Sequence, residues 1–330
     1  MSTALKLFQV SDPHGDFETF DRAIEQVIGP VGGFSPADAL LVTGDLVGPL
    51  FDREELEAFA PARDFVERVY QNTPEEIETR IQATEVVLEE EVPSDDEGRQ
   101  AAETYLILHN IAKDKMAMVY GGFKQRFDHL KSEGLETLVI PGNWDGRMMP
   151  RVLADYDLHA KTKPLVELCP TLSADLQRFS IAGFGGSQGR PNKIPRDLVP
   201  IFQEEAAYEF LMSQPNADIV MTHAAPRNIR NGDKQASIYN GSSGVSEYMV
   251  RAQPSAMFVG DSHKYFVAQD TDSGTVVLSP GNLGAYDPTK PHGNFFEVDL
   301  DGNLNIHKLK LHNAAESEVR THEVPITLVA

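Results

Sequence analysis

The 330-residue chain has one cysteine, Cys169, so it can form no internal disulfide, which fits a reducing compartment. No apolar run approaches the roughly 20 residues that a membrane-spanning helix needs, so no membrane partner is expected. Basic residues are scarce: 29 Lys/Arg face 50 Asp/Glu, a formal charge of −21. Such a surface disfavours non-specific binding to nucleic acid or to an anionic membrane. It leaves a nucleotide substrate open, because bound divalent cations bring their own positive charge. The N-terminus reaches the polar Asp12 and His14 too soon for a signal peptide, and the expectation is a soluble cytoplasmic protein. Hydrophobic content, at 41%, is ordinary and argues against wholesale disorder.

What is present is a repeated pattern of apolar strands that end in polar residues. Leu5 to Val10 reads as a strand, and Ser11-Asp12-Pro13-His14-Gly15-Asp16 follows it, ahead of a helix over 17–28. In extended chain Asp12 and His14 point to the same side. Ala39 to Thr43 is a second strand, ending in Gly44-Asp45, so a βαβ unit and a parallel sheet are predicted. Residues 137–140 end in Pro141-Gly142-Asn143-Trp144-Asp145, residues 217–221 in Thr222-His223, and residues 256–259 in Gly260-Asp261-Ser262-His263. Helices are expected over 202–212 and 245–252. A hairpin is expected from 165–169 and 176–182, a polar loop over 231–243, short strands from 265 to 310, and then an extended tail.

Between the second and third strands the composition changes. Residues 52–104 hold 17 Asp/Glu and 5 Lys/Arg. Ile77, Ile81, Thr84 and Leu88 share a helical face, as do Tyr105, Leu108, Ala112 and Val119, and Phe123, Phe127 and Leu130 continue beyond Gly121-Gly122. The reading is an acidic helical insertion over 51–133 within a single domain spanning 1–330, with a kink or break at the glycine pair. A packed acidic hairpin is its plain explanation; a substrate lid or a homodimer contact are the sharper ones.

One polar strand ending means little, since Asp and His are common turn residues. Five together, three with glycine just before the polar residue, ask for more. The glycines allow close backbone approach. Carboxylates, imidazoles and an amide suit hard or borderline ions such as Mn²⁺, Fe²⁺, Mg²⁺ or Zn²⁺ and not a cysteine-type structural zinc. Seven ligands exceed one such ion and suit two, sharing a carboxylate and set roughly 3.5–4 Å apart.

In this order the motifs Asp-x-His (12–14), Gly-Asp (44–45), Gly-Asn-x-Asp (142–145), Thr-His (222–223) and Gly-x-x-His (260–263) resemble the calcineurin-like metallophosphoesterase superfamily. The stretch from Gly241 to Gly284 is similar to its small bacterial and archaeal phosphodiesterase branch. The resemblance implies a four-layer αββα sandwich of α/β class with two divalent metal ions, Mn²⁺ favoured. It implies that Asp12, His14, Asp45 and His263 hold one ion. Asp45, Asn143, His223 and Asp261 would hold the other, with Asp45 bridging. It also implies that a metal-bridging hydroxide is the nucleophile and that Asn143 can donate to a phosphate oxygen.

Two positions depart from the family pattern. Asp261 stands where a His is usual; a harder, anionic donor favours Mn²⁺, Mg²⁺ or iron over zinc. Trp144 stands where many members carry a His that protonates the leaving group. A leaving group of low pKa needs that acid less, so a phosphodiester or nucleotide is preferred to an alkyl monoester. The substrate expected is a small phosphate ester. The second reading is a scaffold that kept the fold, binds a protein partner and lost turnover, as a retromer subunit of the superfamily has. Arg190 and Arg227 are candidate phosphate contacts, each equally readable as surface charge. The Gly183 to Gly189 run opens no clear helix and is no dinucleotide fingerprint.

Overall fold

The computed structural model describes residues 5–28, 38–51, 55, 57–58, 96–146, 148–168, 177–186, 204–231, 234–237, 241–285, 289, 291–316 and 320–323. Most of the acidic stretch, with Ile77, Ile81, Thr84 and Leu88, lies outside them, as do Cys169, Arg190 and the run from 187 to 189.

The strands are β1 (Leu5–Val10), β2 (Asp38–Val42), β3 (Glu136–Val139), β4 (Lys161–Pro164), β5 (Ser180–Phe184), β6 (Ile219–Thr222), β7 (Asn228–Asn231), β8 (Lys234–Ser237), β9 (Ala256–Val259), β10 (Phe266–Gln269), β11 (Val276–Ser279), β12 (Asn294–Leu300), β13 (Ile306–Asn313) and β14 (Arg320–Glu323). The helices are α1 (Phe17–Ala23), continued by a π-helical turn at Ile24–Ile28, then α2 (Asp96–Ser132), α3 (Met149–Val152), α4 (Leu165–Leu168), α5 (Glu204–Met212) and α6 (Ser243–Ala252). None is long and apolar enough to cross a membrane among the described residues.

Two six-stranded sheets form, ordered β14-β13-β12-β1-β2-β3 and β10-β11-β9-β6-β5-β4. In the first, β1, β2 and β3 run parallel; in the second, β5, β6, β9 and β11 do. Strand alternation sorts the apolar side chains into three layers. Leu5, Leu7, Ala39, Leu41 and Leu138 meet Ile219, Met221, Ala256, Phe258 and Leu278 between the sheets. Phe8, Val10, Leu40, Val42 and Val139 turn outward to α1 and α2. Val220, Met257, Val259 and Val277 turn outward to α5 and α6. The result is the four-layer αββα sandwich. Gln9, on the inner face, donates from Nε2 to the carbonyls of Val259 (3.0 Å) and Leu278 (3.3 Å) and ties the sheets together.

Four local expectations are corrected. The helix does not break at Gly121-Gly122: α2 runs through them, and Gly122 serves close packing, since a Cβ there would lie 2.5 Å from Phe17 Cζ. Phe17 packs at a tilt against Phe123, ring centroids 4.9 Å apart, beneath the Arg126 guanidinium, which binds both oxygens of Asp21 at 2.6 Å. Leu165–Leu168 is a helical turn and not a strand; β4 precedes it and pairs antiparallel with β5. The polar segment after Pro226 forms the β7–β8 hairpin, because backbone pairing does not need apolar alternation. The tail beyond residue 310 contributes the end of β13, which starts within the stretch where strands are expected, and all of β14, an exposed, charged edge strand that escapes a hydrophobicity pattern. Leu108, Ala112, Met116, Phe123, Phe127 and Leu130 of α2 are buried against the first sheet, so this part of the inserted stretch belongs to the core.

Candidate metal centre

The seven candidate residues come from five loops, each just past the C-terminal end of a parallel strand: β1, β2, β3, β6 and β9. Parallel pairing brings those ends to one edge, where α/β folds place ligands. Ligand-capable atoms of Asp12, His14 and His263 lie within 4.8 Å of one another, and so do those of Asp12, Asp45 and His223. His223 Nε2 is 3.5 Å from Asp45 Oδ1 and 3.8 Å from Asp261 Oδ1. Asn143 Nδ2 donates to Asp261 Oδ1 at 3.4 Å. All seven therefore meet. In this arrangement Asp12 is common to both groups, whereas the resemblance implies Asp45 as the bridge.

Convergence does not come from extended alternation, as expected for Asp12 and His14. Asp12 (φ 52°), His14 (φ 48°), Asp45 (φ 54°) and Asp261 (φ 56°) all take left-handed backbone, which costs a non-glycine residue about 1–3 kcal/mol. Interlocked amides hold the strain in place. Asp12 N donates to Gly44 O at 3.0 Å, His14 N to Asp45 O at 2.9 Å and Gly15 N to Leu46 O at 2.7 Å. The glycines before Asp45, Asn143 and Asp261 supply the close approach expected of them. A Cβ on Gly44 would lie 2.5 Å from His223 Nδ1, and one on Gly260 2.7 Å from the same atom.

The chemistry of the donors fits divalent cations. Asp12 Oδ1, Asn143 Oδ1 and His223 Nε2 are buried with no hydrogen-bond partner, a costly state for three polar atoms in one place. His223 Nδ1 lies 2.7 Å from Thr43 O, so in the neutral imidazole that nitrogen carries the proton and Nε2 is the one left to ligate a metal ion. His14 Nδ1 faces Val47 O at 3.3 Å in the same way. Burial and the neighbouring Asp45 carboxylate push Asp12 well above the usual carboxylate range. Burial opposes charge on His223, but Asp45, Asp12 and Asp261 together outweigh it and hold the imidazole well above its ordinary value. A cluster in which the ionised Asp45 raises both a neighbouring carboxyl and an imidazole lacks positive charge, which metal ions would supply.

Residues that the sequence left without a role organise the centre. Asp145, wholly buried, accepts from Gly142 N (2.7 Å), Leu46 N (3.3 Å) and Val47 N (3.1 Å). Burial and Asp45 push it up to about 6. Trp144 N donates to Asp45 Oδ1 at 2.8 Å, and Ser11 Oγ donates to Asp12 Oδ2. The Trp144 ring is buried, edge-on to His14 at 6.4 Å, and offers no acid. Arg227 is exposed, its Nη1 3.4 Å from Ser243 Oγ.

The sandwich and its loop cluster define the chain's class: a metallo-dependent phosphatase fold. One crystal structure matches with a TM-score of 0.55 at 14% identity over 94% of this chain and 99% of the other. TT1561 of Thermus thermophilus matches at 0.50, with 14% identity over 97% and 99%. A predicted phosphoesterase of Streptococcus pneumoniae is more distant, at 0.33 with 9% identity over 98% and 99%. No protein-family model and no curated protein matches the chain.

Proposed function

We propose that the protein is a metal-dependent phosphoesterase that acts on a small phosphodiester or nucleotide. The observation that carries this reading is the convergence of Asp12 Oδ1, Asn143 Oδ1 and His223 Nε2, buried and without hydrogen-bond partners, in a cluster of carboxylates and imidazoles. Asp12, His14, Asp45, Asn143, His223, Asp261 and His263 would hold two divalent ions, Mn²⁺ favoured by the carboxylate-rich set. When bound, such ions activate a water for attack and neutralise charge on the phosphoryl oxygens. The chain's own part is orientation. Thr43 O and Val47 O fix the two imidazoles, Trp144 N fixes Asp45, and Asn143 can ligate through Oδ1 while keeping Nδ2 to donate.

Trp144 supports the diester preference, since the position closest to the usual acid can release no proton. Tyr265, 53% exposed, lies two residues past His263 in the chain, and its phenol ring is a candidate surface for an aromatic leaving group. The Gly281 turn packs on Tyr265's backbone, and Leu283 and Gly284 donate to Ser11 O and Asp12 O, so Tyr265 borders the site loops.

The test is hydrolysis of bis-p-nitrophenyl phosphate by chelator-stripped protein with and without Mn²⁺, beside the p-nitrophenyl monoester. Mn²⁺-dependent turnover of the diester above the monoester is expected. A chain that takes up no metal overturns the proposal. Metal uptake without turnover of either ester selects between an enzyme of narrow specificity and the scaffold reading, which Trp144 and Asp261 favour. Asp261→Asn should weaken uptake of the second Mn²⁺ about 10-fold or more, measured by calorimetric titration. Unchanged stoichiometry and affinity would remove Asp261 from the ligand set.

A further inference from the structure

The long helix α2 reaches the loops of the candidate centre through the hydroxyl of Tyr120. Tyr120 sits in the apolar stripe that also carries Met116, Phe123 and Phe127, wholly buried against the first sheet. A phenylalanine would fill that position as well, and a buried hydroxyl is costly unless it is bonded. This one is bonded twice. Tyr120 Oη accepts from Gly146 N at 2.5 Å and donates to Asp145 Oδ1 at 3.4 Å.

Both partners belong to the loop after β3 that carries Asn143. Asp145 then spreads the constraint. Its Oδ2 accepts from Gly142 N and Leu46 N, and its Oδ1 from Val47 N. Val47 returns its carbonyl to His14 Nδ1, and Trp144 N, in the same loop as Asp145, holds Asp45 Oδ1. One hydroxyl thus stands behind three candidate ligands from three loops: Asn143, Asp45 and His14. Burial, with the Asp145 carboxylate next, pushes the phenol well above its ordinary range, so it stays protonated and able to donate.

We propose that Tyr120 is a positioning residue of the metal centre, which makes α2 a structural part of that centre and not only cover for the sheet. The inference rests on the metal-centre reading above. Outer partners that orient ligands typically cost 10- to 100-fold in metal affinity when removed.

Chelator-stripped, full-length Tyr120→Phe is titrated calorimetrically with Mn²⁺ beside the wild type. The expected result is Mn²⁺ affinity about 10- to 100-fold weaker, with the far-ultraviolet circular dichroism unchanged. A hydroxyl that served stability alone would lower the unfolding midpoint and leave the affinity of the folded protein as it was; that result overturns the proposal. If Tyr120→Phe does not fold, Asp145→Asn, which replaces one of the two acceptor oxygens, is titrated instead. The same loss of affinity supports the network, and unchanged affinity overturns it. Wild-type protein that binds no Mn²⁺ overturns the metal-centre reading and this inference with it. Wild type that binds, beside a variant that binds equally, overturns this inference alone.

Discussion

Asp45→Asn should lose Mn²⁺-dependent diester turnover by about 10³-fold, the scale expected when a contact that stabilises charge at the reacting centre is removed. The substitution keeps the size and shape of the side chain and changes three things. It removes a negative charge from a buried position, Asp45 being 1% exposed. It places an amide, with two donors and one acceptor, where both His223 Nε2 and Trp144 N approach Oδ1. It also takes away the main influence that sustains His223. Burial alone would raise Asp45, but His223 and His14 pull it below the usual carboxylate range, so it is ionised in the folded protein. Either amide orientation then fails: oxygen toward Trp144 leaves an NH₂ group facing the metal side, and the reverse sets a donor against Trp144 N–H. The check is kcat for bis-p-nitrophenyl phosphate at saturating Mn²⁺, with the dichroism spectrum verifying the fold. Retention of more than a tenth of wild-type turnover would remove Asp45 from the centre. The same variant addresses the scaffold reading, in which turnover is absent from the start and partner binding survives the substitution.

The scaffold of this site was legible from the chain because strand ends are local. An apolar run followed by Gly-Asp or Gly-Asn announces both the strand and the turn, and parallel connectivity brings such ends together. The alternation of Leu5, Leu7 and Gln9 against Lys6, Phe8 and Val10 likewise carries the layer order. How Asp12 and His14 converge was not legible. Left-handed backbone at a non-glycine residue has no propensity signal and exists because neighbouring loops impose it. Asp145 sat inside a recognised motif, but what it does depends on amides 98 and 99 residues away, at Val47 and Leu46. Tyr120 was hidden further: in an apolar helical stripe a tyrosine reads as packing, and only the fold reveals what its hydroxyl meets. The continuity of α2 was misread for a related reason. A glycine pair suggests a break by propensity, whereas Gly122 makes room for Phe17, a contact between elements far apart in sequence.

Gly142→Ala is expected to be nearly as damaging as the loss of Asp45, although it adds only a methyl group. Gly142 is not in left-handed backbone, so the substitution brings no conformational penalty of its own. The effect is steric and local. A Cβ at this position would lie 2.7 Å from Asp45 Cγ and closer still to its Oδ1 and backbone amide. A side chain could swing away, but the amide belongs to a left-handed turn locked by His14 N and cannot. The loop from Gly142 to Gly146 must therefore move outward. That shift separates Trp144 N from Asp45 Oδ1 and Gly142 N from Asp145 Oδ2, and it carries Asn143 off its place beside Asp261. A misplacement of about 1 Å at a reacting centre costs on the order of 10²-fold in rate. The expected outcome is a loss of that size in diester turnover with Mn²⁺ affinity reduced in parallel. Gly302→Ala is the control, since a Cβ there meets nothing within 4 Å. Turnover by Gly142→Ala equal to that of the Gly302→Ala control would mean that the two loops have slack, and that their contact does not set the spacing between Asp45 and Asn143.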